Sequence, residues 1–172
     1  MKKLLLLVIA ISCLALCGCG GSNDDSGNGL TPEQQEYADV VYAFADAVSH
    51  SDEKDPKNLI QVTGKTYYKS YNYKQFTDKL TDFCGKAENV EYTIPAGEIY
   101  VDTTKYQEDN VAEVSVYSNI AYTYKGNSYT IKEIHWFIVE KGKKSSAGIR
   151  AIRKYNPNDY SDEVPEFPPD LN

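Results

Sequence analysis

The chain reads as an α+β protein, with three helices followed by an antiparallel sheet of about four strands. Apolar residues recur with a helical period from Tyr37 to Phe83, and from residue 88 onward the period drops to two. Helices first and strands last place the helices on one face of a curved sheet. Size agrees with this: 172 residues, 41% hydrophobic and 25% charged, supply one cored domain. They are too few for two comfortable domains, and the composition is not that of a disordered chain.

The first helix is well signalled. Thr31 is its N-cap, Pro32 occupies the first turn and Gln34 completes a capping box. Tyr37, Val40, Val41, Phe44, Ala45 and Val48 then form one apolar stripe, which runs out at Ser49-His50-Ser51-Asp52. His50 at that end suits the helix dipole and needs no other role. Asp55-Pro56 opens a short second helix carrying Leu59, Ile60 and Val62, with its stop at Gly64. A third helix is expected over 73–84, with Phe76, Leu80 and Phe83 on one face and Gly85 just past its end.

The strands follow. Glu91 to Val101 is interrupted by Pro95-Ala96-Gly97, which predicts a bulge or a short edge strand. Val111 to Tyr124 is a long strand, Lys125-Gly126-Asn127-Ser128 a hairpin turn and Tyr129 to Glu140 the next strand. Gly142 to Ser146 turns into a last strand at Ala147–Tyr155.

The N-terminus carries an address. Lys2 and Lys3 precede an apolar run from Leu4 to Leu16, shorter than the roughly 20 residues a bilayer span takes and of secretory length. Leu16-Cys17-Gly18-Cys19 resembles a bacterial lipobox. The resemblance implies a signal peptide over 1–18 and a lipidated Cys19 as the first mature residue. Residues 19–31 are then the lipidated cysteine and a Gly/Ser/Asn/Asp linker, 32–157 the domain, and 158–172 an acidic, proline-rich tail with Val164 and Phe167 tucked against it. The implied location is extracytoplasmic and membrane-anchored, on the outer membrane in a Gram-negative host. Of four cysteines only Cys84 remains in the domain, so no internal disulfide forms there, and its place beside Phe83 marks it as a buried structural thiol.

Three N-terminal helices before a long bent antiparallel sheet resemble the nuclear transport factor 2-like fold, a cone of α+β architecture. The resemblance rests on the Tyr37–Val48 stripe, the short helix after Asp55-Pro56, the hairpin 111–140 and the strand 147–155. A cystatin-like sheet around one helix is the alternative, disfavoured by the helix at 73–84. The cone fold implies a pocket between helices and concave sheet. It serves dehydratases, isomerases and epoxide hydrolases as well as non-catalytic binding domains, so it does not by itself give function.

Candidate site residues follow from composition and parity. Fifteen tyrosines are present. Tyr67, Tyr68, Tyr71 and Tyr73 cluster between the second and third helices, and Tyr117, Tyr122, Tyr124 and Tyr129 lie along the hairpin. Tyrosine suits a small amphiphile or a protein partner, although aromatic residues also simply favour sheets. With Trp136, the 67–73 cluster is the expected ligand-binding set. His135 and Trp136 are adjacent on a strand and point to opposite faces, with Ile134 and Ile138 beside Trp136, and Phe137 and Val139 beside His135. The Trp136 face is a candidate surface for a homodimer through the sheet. His135 is the one weak catalytic candidate; Glu133 is the acid of matching parity, and Asp46 and Asp102 are further carboxylates within conceivable reach. No ligand spacing supports a metal: the histidines are isolated, and Asp52, Glu53 and Asp55 lack the calcium-loop pattern. No phosphate loop or nucleophile elbow occurs, and no cofactor is expected.

Charge divides unevenly. The net −7 resides mostly in the linker and tail, and the domain itself is close to neutral. The acidic total argues against nucleic acid as a partner. Residues 141–154 carry Lys141, Lys143, Lys144, Arg150, Arg153 and Lys154 without an acid. This segment would meet anionic headgroups or an acidic polymer, receive the acidic tail, or keep a sheet edge solvated. These readings predict a membrane-anchored, non-catalytic binding domain for a small amphiphile or a partner protein. The alternative is a hydrolase or isomerase using His135 and a carboxylate.

Overall fold

The computed structural model describes residues 29–61, 73–108, 110–142, 148–156, 161–163 and 165–172. The lipobox, Val62, Gly64, Tyr67, Tyr68, Tyr71, Lys143, Lys144 and Val164 lie outside them. Two helices, α1 (Pro32–Ser49) and α2 (Tyr73–Lys86), precede six strands: β1 (Glu88–Thr93), β2 (Ile99–Asp102), β3 (Val111–Tyr124), β4 (Asn127–Glu140), β5 (Gly148–Asn156) and β6 (Ser161–Glu163). The strands form one antiparallel sheet in the order β1-β3-β4-β5-β6, with β2 also on β3. No helix among the described residues is long and apolar enough to cross a membrane.

The capping box at α1 is reciprocal: the Gln34 amide donates to Thr31 Oγ1 at 3.2 Å, and the Thr31 amide donates to Gln34 Oε1 at 2.9 Å. The α1 stripe is buried from Tyr37 to Val48. The expected second helix is a single 3₁₀ turn, Pro56–Leu59, so the described residues form two α-helices rather than three. Asp55 caps that turn, but Ile60 is already extended and bridges Ile149 on β5. Sheet pairing thus takes the chain before a second helical turn can form. In α2, Gly85 is not the terminating residue; the helix continues through Lys86, and the left-handed conformation falls on Asn89 at φ 50°, beside a register shift in β1.

Pro95-Ala96-Gly97 splits the expected 91–101 strand in two, with Gly97 at φ 82°. Both halves line the same edge of β3, Tyr92 opposite Ile120 and Val101 opposite Val114. The hairpin turn is shorter than expected. It comprises Lys125 and Gly126 alone, at φ 49° and 76°, the signs a type I′ turn requires. That closes a ladder of two 14-residue strands in which Ser118 faces Glu133 and Val116 faces His135.

The fold does not stop at residue 157. Strand β6 pairs with β5, and Phe167 and Leu171 join the single apolar core with Phe44, Phe83, Ile120 and Phe137. Each such buried side chain contributes about 1.5–3 kcal/mol over leaving it exposed. The proline-rich end is therefore part of the domain's packing.

Candidate functional site

Register builds the site. The inward positions of β4 include Glu133, His135 and Phe137, β3 delivers Ser118 beside them, and β1 delivers Tyr92. His135 Nε2 meets Glu133 Oε1 at 2.5 Å. On the other side of the ring, Nδ1 lies 2.8 Å from Ser118 Oγ and 2.9 Å from the Tyr92 hydroxyl, and those two hydroxyls are 2.9 Å apart. With Nε2 donating to the carboxylate, Nδ1 accepts from one hydroxyl while the other bonds to its neighbour. Glu133 also accepts the amide N–H of Phe167 on Oε1 and that of Glu166 on Oε2, both at 3.1 Å, and Lys154 Nζ stands 3.5 Å from Oε2.

Burial pushes both acids upward, and their partners then separate them. It would raise the Glu133 carboxyl, but the His135 contact and the two backbone N–H donors outweigh it and hold the group below its ordinary value. Glu133 is thus a buried carboxylate kept ionised by its partners. Tyr92 is pushed well above the usual phenol range, chiefly by burial, with a smaller upward push from Glu133 and an opposing one from Ser118.

The quartet is closed to solvent. His135 and Ser118 are 0% exposed, Tyr92 and Glu133 5%. Phe167 lies against them from the C-terminal segment, its ring 5.5 Å from Tyr92 and 6.4 Å from His135. Phe44 from α1 meets Tyr92 edge-on at 6.2 Å, and Phe137 stands perpendicular to His135 at 5.8 Å. A reacting atom would need a position near 3 Å from a nucleophile or base. Here protein atoms already bond to both ring nitrogens.

The remaining sequence candidates fall elsewhere. Trp136 faces away from His135 with Lys105 Nζ 4.8 Å over its ring, and Tyr73 packs against the core from the start of α2. Asp46 is on α1 with His50 and Lys54, and Asp102 accepts hydrogen bonds from Thr104; neither approaches His135. His50 closes α1 as its C-cap. Tyr122 is buried and stacks on Tyr129, while Tyr117 and Tyr100 are exposed on the outer sheet face, at 36% and 65%. Cys84 is half-buried beside a cleft of about 410 Å³ lined also by Asp55, Lys57 and Leu80, and burial raises its thiol. Among the described residues no group of three His, Cys, Asp or Glu side chains is placed to hold a metal.

Within the run 141–154, Lys141, Arg150 and Lys154 each have acidic partners. Lys141 pairs with Glu36 and lies over the Tyr37 ring, Arg150 pairs with Glu108 and Glu140, and Lys154 pairs with Glu166 and Glu133. Of its expected roles, receiving the acidic tail is the one these contacts display.

No family model and no curated protein matches the chain. Solved structures do. A candidate aromatic ring hydroxylase from Novosphingobium aromaticivorans is 15% identical with a TM-score of 0.58, covering 77% of this chain and 95% of its own. A candidate scytalone dehydratase from the same organism is 9% identical with a TM-score of 0.57, covering 80% and 95%. A protein from Catenulispora acidiphila gives 9% and 0.52, covering 72% and 91%. The fold is the nuclear transport factor 2-like cone. At these identities the likeness is one of fold. Within that cone, Tyr92, Ser118 and Phe167 are the site residues that sequence reasoning missed. Ser118 was findable from the hairpin register alone.

Proposed function

We propose that this is a lipid-anchored extracytoplasmic protein whose domain binds a partner protein and performs no chemistry of its own. The observation that carries the non-catalytic reading is the closed cone. Each member of the quartet is bonded to another protein group, and Phe167 lies where a substrate would have to sit. The same closure disfavours a small amphiphile in the cone. The outer sheet face supports a protein partner: Tyr100 and Tyr117 are exposed, and half-buried Ile134 and Trp136 lie beside them. Amphipathic aromatics on a rigid strand suit an interface, in the simplest case with a second copy.

The anchor rests on Lys2, Lys3, the apolar run and Cys19, followed by the Gly, Ser, Asn and Asp residues of Gly20–Gly29. Membrane fractionation tests it. Cys19→Ala should move the protein to the soluble fraction, and retention at the membrane would refute the lipobox reading. Sedimentation of that soluble chain tests the partner surface. A dimer that Tyr117→Arg converts to monomer supports the sheet interface; a monomer at every concentration removes the second copy as the partner.

A second reading has one observation in its favour. Ser118 Oγ, His135 and Glu133 are connected in the order of nucleophile, base and orienting carboxylate. A hydrolase or isomerase on this set requires Phe167 to leave the cone. Ester turnover that disappears in both Ser118→Ala and His135→Gln would establish it over the non-catalytic reading.

A further inference from the structure

The segment Pro165–Asn172 is held differently from the rest of the domain. It belongs to no strand of the sheet, and its prolines at 165, 168 and 169 have no N–H to give to a ladder. Its anchors are apolar side chains: Phe167 and Leu171 both lie in the core, and Pro165 and Pro168 are buried. Phe167 is 1% exposed and meets Phe83 at 5.3 Å as well as Tyr92 and His135. Around these anchors the contacts are polar. Lys154 pairs with Glu166 at 2.8 Å, Lys79 pairs with Asp170 at 2.9 Å, and Lys86 and Lys125 donate to the carbonyls of Leu171 and Asn172. A buried aromatic anchor within a charged, partly exposed rim is the layout of an interface between two molecules.

We propose that Pro165–Asn172 is a displaceable self-ligand. It leaves the cone as a unit while the sheet stays folded. The vacated groove then binds an extended peptide of the same chemistry: an aromatic side chain between carboxylates, with two consecutive amide N–H groups directed at Glu133. Glu133 supplies the recognition, because each of its oxygens takes one of those N–H groups. It also makes displacement feasible. His135 and Lys154 remain beside the carboxylate when the segment departs, so the charge is not left bare. The inference goes beyond both functional readings: the first leaves Phe167 seated in the cone, the second requires only that it leave, and neither names a peptide that takes its place.

Hydrogen exchange on the full chain tests the first half. In the wild type, the amides of Glu166 and Phe167 should exchange at least tenfold faster than those in the middle of β3 and β4. Phe167→Ala should accelerate the segment at least a further tenfold without changing β3 and β4. Lys79→Ala, a substitution at the rim, should do the same to a smaller extent in a chain certain to fold. Segment amides that exchange only at the rate of the central strands, in the wild type and in Lys79→Ala alike, would overturn the proposal. A fluorescently labelled peptide VPEFPPDLN tests the second half. It should bind the Phe167→Ala chain at least tenfold more tightly than the wild type, whose own segment competes, and the peptide with Ala in place of Phe should not bind. Opening of the segment without peptide binding would overturn the receptor half while leaving the plug.

Discussion

Two phenylalanines, Phe44 and Phe167, meet the same tyrosine from different parts of the chain. Both are buried, and both stand edge-on to Tyr92. Phe44 sits in the middle of an 18-residue helix that packs on the sheet, and its ring also meets Phe137. Phe167 sits in a strandless segment tied down by lysines and by Glu133. Equal burial thus coexists with unequal connection. Accessibility reports what a side chain has lost in solvent, but not how much of the molecule must open to release it.

The largest effect that would sharpen this contrast is on the polar partner of both regions. Glu133→Ala should cost about 3–5 kcal/mol, since it strips the acceptor from buried His135, from the buried Phe167 amide and from the part-buried Glu166 amide; urea unfolding by circular dichroism measures it. Phe44→Ala should cost a similar ~3–5 kcal/mol, felt globally. Phe167→Ala removes the same atoms but should cost clearly less, because its effect is capped by the free energy at which the segment opens. Equal losses at the two positions would erase the distinction between the regions.

Proton linkage separates them more gently. The folded-state value of Glu133 lies below its unfolded one, so its contribution is complete above the unfolded carboxyl value of about 4.3 and is lost as pH falls through the folded value. Tyr92 has the opposite sign. Its folded value is raised, so its contribution is complete below about 10 and declines as pH rises beyond that. Stability measured from pH 3 to 11 should show both limbs, and Glu133→Gln should flatten the acid one only. Tyr100→Ala, on the outer face, should change stability by less than about 0.5 kcal/mol while weakening self-association. A large stability loss there would mean the exposed ring is structural.

The parts readable from sequence were those governed by local rules. Thr31 and Gln34 announce α1 by capping chemistry, and alternation alone puts Glu133 and His135 on one face. Ser118 follows local rules too, once the turn at Lys125-Gly126 sets the register. The rest depended on information held elsewhere in the chain. Phe167 lies among prolines with no period to read. The 3₁₀ turn at Pro56 is cut short by a strand almost a hundred residues away. The pairing of Lys141, Arg150 and Lys154 was hidden because Glu36 and Glu108 lie far along the chain and Glu166 lies in the proline-rich end. Burial, pairing and charge balance are tertiary properties, and a window of neighbours contains little of them.

The two-residue turn at Lys125-Gly126 carries a kinetic consequence. It joins the longest ladder among the described residues across a two-residue loop, and hairpins of this kind zip in roughly 1–10 μs, well before distant segments meet. Early closure of this hairpin is expected to bring Ser118, Glu133 and His135 together before Phe167 covers them. Mutations at Ile120 and Ile131, which face each other in the ladder, should slow folding. Those at Phe167 should mainly speed unfolding. Deleting one turn residue would be graver than any of these, since a single-step slip would turn His135 outward and Trp136 in.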